Sequence, residues 1–211
     1  MNLAIKDQGP KRDLFTPPPL DPVVLVGVAE KTRTRVLNEE LCEEIRNLLP
    51  ARLQLYDSWH LAYSLEQHGA SLHTLYDNLR LNGNNNKRWG YVICIRDQSG
   101  NSFGAYTNEP FYPTDLKRYY GNGECFLWKT TKLPNGDTRF QAFPYTGIND
   151  FVIFCTSRFL SLGGGDGHYG LWIDDDLNVG ISDRSLTFGN EPLSSVGSKF
   201  HIIGLEVWRV N

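Results

Sequence analysis

The chain has 211 residues and a net charge of −3, with 40% hydrophobic and 21% charged side chains. That length bounds it to one domain with trimmings, or at most two small ones, and is enough to bury a real core. The weak acidity, with Lys87-Arg88 as the longest basic cluster, argues against nucleic-acid binding as the main task, and no apolar run approaches the ~18 residues of a membrane-spanning helix.

Residues 1–30 are punctuated by Pro10, Pro17, Pro18, Pro19 and Pro22. Proline fixes φ and removes an amide donor, so this stretch reads as an extended arm, either a flexible lead-in or a segment that docks on a partner. Val23 to Val28 is apolar enough to add one edge strand or to pack on the domain. The remaining residues, 31–211, read as that domain. Leu37, Leu41, Ile45, Leu48 and Leu49 recur at helical spacing. Asn38 stands where a cap is needed, acids follow early in the helix, and Pro50 ends it. Residues 53–66, rich in Tyr56, Trp59, Leu61, Tyr63 and Leu65, read as extended. After Gly69, Ser71 caps a second helix with Leu72, Leu75, Tyr76 and Leu79 on one face. Asn82 to Arg88 is a loop by composition.

From Gly90 onward strands and turns alternate. Strands are expected at Tyr91–Arg96, Ser102–Tyr106, Glu124–Thr131, Arg139–Phe143, Phe151–Thr156, Gly170–Asp174, Val179–Ser182 and Phe200–Val210. Pro134-Asn135-Gly136 is a strong hairpin signal, because Asn-Gly tolerates positive φ. The fold class is α+β, mostly β: a two-sheet antiparallel β-sandwich with flanking helices at its ends.

Cys42, Cys94, Cys125 and Cys155 show no metal-ligand spacing, so no structural zinc site is expected. The absence of a glycosylation sequon and of a signal peptide points to a reducing, cytoplasmic compartment. Residues 1–21 mix acids with bases, which argues against a mitochondrial transit peptide, although that compartment stays open.

Two motifs invite chemistry. Gly165-x-Gly167-x-x-Gly170 spells a dinucleotide fingerprint, but Leu171-Trp172-Ile173-Asp174 continues as a strand where the pyrophosphate site needs a helix. A sharp glycine crossing is the better reading. Asp174-Asp175-Asp176 resembles a calcium loop, yet an EF-hand starting there has Val179 and Ser185 where Gly and Glu are required. A hairpin turn fits better. The five histidines lack metal spacing, and Ser58–His60 and Ser71–His73 place Ser and His close in sequence, whereas a triad is a spatial arrangement with an orienting acid. Glu206, inside an apolar strand, needs a salt bridge or backbone hydrogen bond. Neither a catalytic residue, a metal nor a cofactor is expected.

The series Trp59-x-Leu61-x-Tyr63-Ser64, His68-Gly69-x-Ser71-Leu72, Phe103-Gly104-Ala105-Tyr106, Tyr120-Gly121-x-Gly123-Glu124, Phe126-Leu127-Trp128, Gly163 to Gly167, Gly170-Leu171-Trp172, Thr187-Phe188-Gly189-Asn190 and Leu205-Glu206-Val207-Trp208 resembles the TLDc domain over about residues 36–211. The resemblance implies a β-sandwich flanked by helices and a role in oxidative-stress protection. It also implies binding to the vacuolar-type proton ATPase, with release of the pump's peripheral catalytic sector and recruitment to the vacuolar membrane. Many members carry Cys just before Thr-Phe-Gly-Asn, whereas this chain has Ser185-Leu186 there, which weakens direct peroxide scavenging. The alternatives are a thiol antioxidant or small stress-response enzyme, and a stress-signalling scaffold. Exposed loops are the candidate partner contacts: Asn84, Lys87 and Arg88, then Asp166 and His168, then Asp174, Asp175 and Asp176.

Overall fold

The run Tyr91-Val92-Ile93-Cys94-Ile95 has apolar residues at successive positions rather than alternate ones. A strand of that kind must be covered on both faces. In the computed structural model, which describes residues 18–80, 89–115 and 118–211, it forms β3 (Gly90–Asp97) near the middle of a seven-stranded sheet. Its neighbours are β4 (Ser102–Thr107), β5 (Phe126–Lys132) and β6 (Thr138–Pro144) on one side. On the other are β11 (Lys199–Val210), β2 (Ser58–Ser64) and the edge strand β1 (Val24–Val26). All these pairs are antiparallel except β1 with β2.

A second, smaller sheet contains β7 (Ile153–Cys155), β8 (Phe159–Leu162), β9 (Leu171–Asp174) and β10 (Val179–Ile181), paired antiparallel in that order. β11 belongs to both sheets. Its 12 residues, about 40 Å of extended chain, pair with β10 at Lys199–His201 and with β3 from Ile202 onward. The register with β3 shifts between Ile202 and Gly204, and such an irregularity lets a strand bend from one sheet into the next.

Strand alternation then builds two cores. Tyr91, Ile93, Ile95, Phe103, Leu127 and Val207 face the small sheet, where they meet Ile153, Leu160, Leu162, Leu171 and Ile173, with helix α4 (Leu72–Leu79) completing the cluster. Val92, Cys94, Tyr106, Trp128 and Trp208 face the other way, against helices α1 (Glu39–Arg46) and α2 (Ala51–Gln54). These helices therefore cover a sheet face, rather than capping the ends of the sandwich, because that face is as apolar as the first. Gly104 marks how closely the strands pack: a Cβ there would lie 1.9 Å from the Ile93 carbonyl oxygen.

Several local expectations are met by their physical causes. Asn38 Oδ1 accepts the Leu41 amide at 2.8 Å and Ser71 Oγ accepts the Thr74 amide at 3.2 Å, so both helices start where a cap stood. Gly136 has φ of 90° in the turn joining β5 to β6. Three expectations change. Residues 51–54 form α2, which starts directly after Pro50, and Leu65–His68 form the short helix α3. The strand expected over 151–156 is reduced to β7, and β8 was not foreseen at all. Among the described residues no helix is long and apolar enough to cross a membrane.

The end of the proline-rich lead-in adopts the edge-strand alternative. β1 extends the large sheet, and the segment from Asp21 to Leu37 is fastened like a strap. Glu43 Oε1 accepts the Val23 amide, Arg46 Nη1 donates to the Asp21 carbonyl, and Gln67 Oε1 accepts the Ala29 amide. Glu66 accepts the Arg33 and Thr34 amides. Glu206 Oε1 and Oε2 accept those of Val36 and Leu37 at 2.8 and 3.0 Å. Glu206 also accepts the Trp208 indole N–H at 2.9 Å. The carboxylate inside an apolar strand thus meets the hydrogen bonds that its burial requires.

Candidate functional site

The glycine fingerprint lies between two strands, not between a strand and a helix. It runs from the end of β8 to the start of β9. Gly163, Gly165 and Gly167 have φ of 72°, 113° and 77°, a backbone region open chiefly to glycine. A Cβ at Gly163 would come within 2.8 Å of both Phe188 and the Ser185 hydroxyl. The Thr-Phe-Gly-Asn stretch forms the floor of this crossing. Thr187 Oγ1 accepts the Gly164 amide at 3.0 Å and donates to Asn149 Oδ1 at 2.7 Å. Ser185 Oγ donates to Asn190 Oδ1 at 2.6 Å, and Asn190 Nδ2 donates to the Asp183 carbonyl. The Ser185, Thr187 and Asn190 side chains are buried and partnered, so the crossing works as a clasp between loops rather than a cradle for phosphate.

The thiols are equally enclosed. All four are buried and unpaired. Burial raises Cys125 and Cys155 to about 11 and Cys42 to about 12, and lifts Cys94 well above the usual thiol range. The nucleophile in thiol chemistry is the thiolate, and at neutral pH these sites hold thiols. Ser185, just before the Thr-Phe-Gly-Asn stretch, is itself buried and uses its hydroxyl in the clasp. Among the histidines, His68 Nδ1 accepts the Ser64 amide, and His73 lies 3.3 Å from Asp77 on an exposed helix face. Among the described residues no group of His, Cys, Asp or Glu converges as a metal site.

What stands out is the outer face of the small sheet. Alternation sends Ile153, Cys155, Leu160, Leu162, Leu171 and Ile173 inward. Of the outward positions on β7 to β9, Ser161 and Asp174 are polar, whereas Phe154, Phe159 and Trp172 are aromatic and only half-buried. On an ordinary solvent-facing sheet those positions are polar. Phe154 and Phe159 meet edge to face with centroids 5.5 Å apart, and Phe159 lies 5.9 Å from Trp172. Tyr119 and Phe151 extend the stack beyond β7, with centroids 4.8 Å apart, and Tyr169 extends it toward the glycine crossing, 6.2 Å from Phe159. Phe151 is 41% exposed, and Ile148 nearby in sequence is 66% exposed. Large apolar areas in a polar frame mark contact surfaces, and aromatic side chains dominate the energetics of such contacts.

The structure brings two of the three candidate loops to this sheet. Asp166 and His168 lie at the start of β9, and Asp174, Asp175 and Asp176 lie at its end. Asp166 has φ of 52°, and His168 Nδ1 is 3.7 Å from Asp183. Asp174 Oδ1 accepts the Asn178 and Val179 amides at 2.8 and 3.1 Å, which closes the expected hairpin turn. The Asp175 carbonyl accepts the Leu72 amide and ties the turn to α4. Asn84, Lys87 and Arg88 lie outside the described residues. The aromatic face itself was missed from sequence. Its signal was present in Ile153-Phe154-Cys155 and Leu171-Trp172-Ile173, where aromatic residues stand at the outward positions of strands.

Comparison with known proteins agrees with this architecture. The TLDc domain model matches residues 30–211. Oxidation resistance protein 1 of Kluyveromyces lactis is 59% identical over 204 residues, covering 90% of this chain and 82% of the relative. The protein of the same name from Eremothecium gossypii is 56% identical over 191 residues, covering 90% and 80%. That of Saccharomyces cerevisiae is 49% identical over 214 residues, covering 90% and 78%. With the family model spanning the sandwich and both sides of the clasp, the chain belongs to the TLDc domain family.

Proposed function

We propose that this chain is a non-catalytic regulator that binds the vacuolar-type proton ATPase and promotes release of the pump's peripheral catalytic sector, in support of resistance to oxidative stress. In this reading it works in the cytoplasm and reaches the vacuolar membrane through the pump. Family membership and the name oxidation resistance protein 1, carried by its relatives, support the stress connection. The observation that carries a binding role is the aromatic outer face of the small sheet, a half-exposed apolar surface on a rigid sheet. The thiol-antioxidant alternative is disfavoured by the burial of all four cysteines.

Vacuolar membranes carrying intact pump, incubated with the purified chain and then sedimented, test the proposal. The expected result is catalytic-sector subunits appearing in the soluble fraction in proportion to added chain. If the chain neither binds the isolated catalytic sector nor changes its distribution, the proposal is overturned.

A further inference from the structure

Sheet geometry assembles a specific pocket on the aromatic face. Trp172 and Asp174 are two residues apart on β9, so both point outward about 7 Å apart. Phe159 is the direct cross-strand partner of Asp174. Two aromatic rings and one carboxylate therefore share a corner of the sheet. That corner is the floor of an open cleft of about 610 Å³, bounded by Thr156, Arg158 and Asp175. Asp174 is held in place by the two amides on Oδ1. Its Oδ2 and the whole Asp175 carboxylate have no partner among the described residues.

Charge continues the pattern. Residues 149–185, which build the small sheet and its loops, carry six aspartates against Arg158 and Arg184. This stretch is more negative than the whole chain at −3, and two of its aspartates, Asp174 and Asp175, line the cleft. An aromatic floor beside a carboxylate suits one kind of visitor. A guanidinium group stacks flat on rings and pairs in a fork with carboxylate oxygens.

We propose that this cleft receives an arginine side chain presented by the protein partner, stacked on the Phe159–Trp172 ring pair and paired with Asp174 and Asp175. The assignment rests on the binding role proposed above and specifies the chemistry of its contact. Arg158 also lines the cleft and opposes an incoming cation, so its removal strengthens binding.

The full chain is titrated against the isolated peripheral catalytic sector as wild type and as Trp172→Ala, Asp175→Lys and Arg158→Ala. Expected are losses on the order of 10- to 30-fold for Trp172→Ala, roughly tenfold for Asp175→Lys and a gain of a few fold for Arg158→Ala. Affinity also falls as salt rises from about 50 to about 500 mM. Asp175 is exposed, so its variant reports on contact rather than folding. In parallel, n-butylguanidinium is titrated into chain carrying 5-fluorotryptophan, with the Trp172 fluorine resonance assigned through Trp172→Phe. Saturable movement of that resonance, abolished by Asp175→Lys, is expected. Wild-type binding that all three variants leave unchanged overturns the arginine assignment while leaving the regulator reading intact. Absence of wild-type binding overturns the regulator reading, and the guanidinium titration then decides the cleft: a Trp172 resonance that does not move removes it as a cation site.

Discussion

The two sheets of this sandwich share a strand but differ in how many faces they hide. The large sheet is covered twice, by the small sheet on one side and by α1, α2 and the strap on the other. Among the described residues the small sheet is covered once. Its outer face carries phenylalanine, tyrosine and tryptophan without a cover among the described residues. Both sheets contain continuous apolar runs, yet only in the large sheet is each run explained by intramolecular packing. An apolar run with nothing packed on one side has a different origin, and recognition is the physical reason that fits a rigid, ring-rich surface. The contrast separates two expected outcomes: changes in the large sheet alter stability, whereas changes on the outer face of the small sheet, under the proposed function, alter binding.

The largest expected effect lies at Glu206. Replacement by alanine leaves the Val36 and Leu37 amides and the Trp208 indole without their acceptor in a buried site. Unmet buried donors are costly, and the combined loss is about 3–5 kcal/mol. Urea denaturation should show a lower midpoint with little change in slope. A stability near wild type would mean that the second cover is not firmly held, and the contrast between the sheets would fail.

Glu206 also shows how far the sequence could be read. A carboxylate within an apolar strand demanded partners, and it has three. The helix caps at Asn38 and Ser71, the Asn-Gly hairpin and most strands were legible because each is governed by neighbouring residues. β8 was not, because Phe159-Leu160-Ser161-Leu162 is only four residues long and passes directly into glycines. Its pairing with β7 and β9 supplies what local propensity does not. The strap was legible only as an open choice, since its fastenings come from Glu43, Glu66, Gln67 and Glu206, far away in sequence. The aromatic face escaped for a similar reason. A phenylalanine in a strand reads as core until the sheet's outer side is found to have no cover among the described residues.

A middle-sized effect concerns the thiols and tests whether the doubly covered region is sealed. The folded chain holds Cys125 and Cys155 at about 11 and Cys42 at about 12, against 9.0 for a free thiol. Raised values mean that the folded state keeps protons the unfolded state releases. The stabilising contribution is complete below pH 9 and is lost as pH rises through the folded values. Stability should therefore fall above about pH 9, on the order of 1 kcal/mol per pH unit for each thiol. Urea midpoints measured from about pH 8 to about pH 10.5 give the slope. Alkylation under native conditions at neutral pH should label none of the four cysteines until denaturant is added. Rapid labelling of any one would show a core open to solvent.

The smallest effect distinguishes the two ends of the strap. Glu66 and Glu206 each accept two strap amides, but Glu66 sits on the surface and Glu206 in the core. Hydrogen bonds from the Arg33 and Thr34 backbone and the Thr34 hydroxyl hold the Glu66 carboxyl below its usual value of 4.5. A lowered value means that its contribution is present above pH 4.5 and lost as pH falls through the folded value. Glu66→Ala should barely move the global midpoint, because water replaces an exposed acceptor readily. It should, however, speed hydrogen exchange at the Arg33 and Thr34 amides while leaving Val36 and Leu37 protected. Those two are held by a carboxylate that water does not reach, so the strap opens from its exposed end and stays anchored at the core. If all four amides lose protection together, the strap opens as one unit, and the second cover of the large sheet is removable in a way that the first is not.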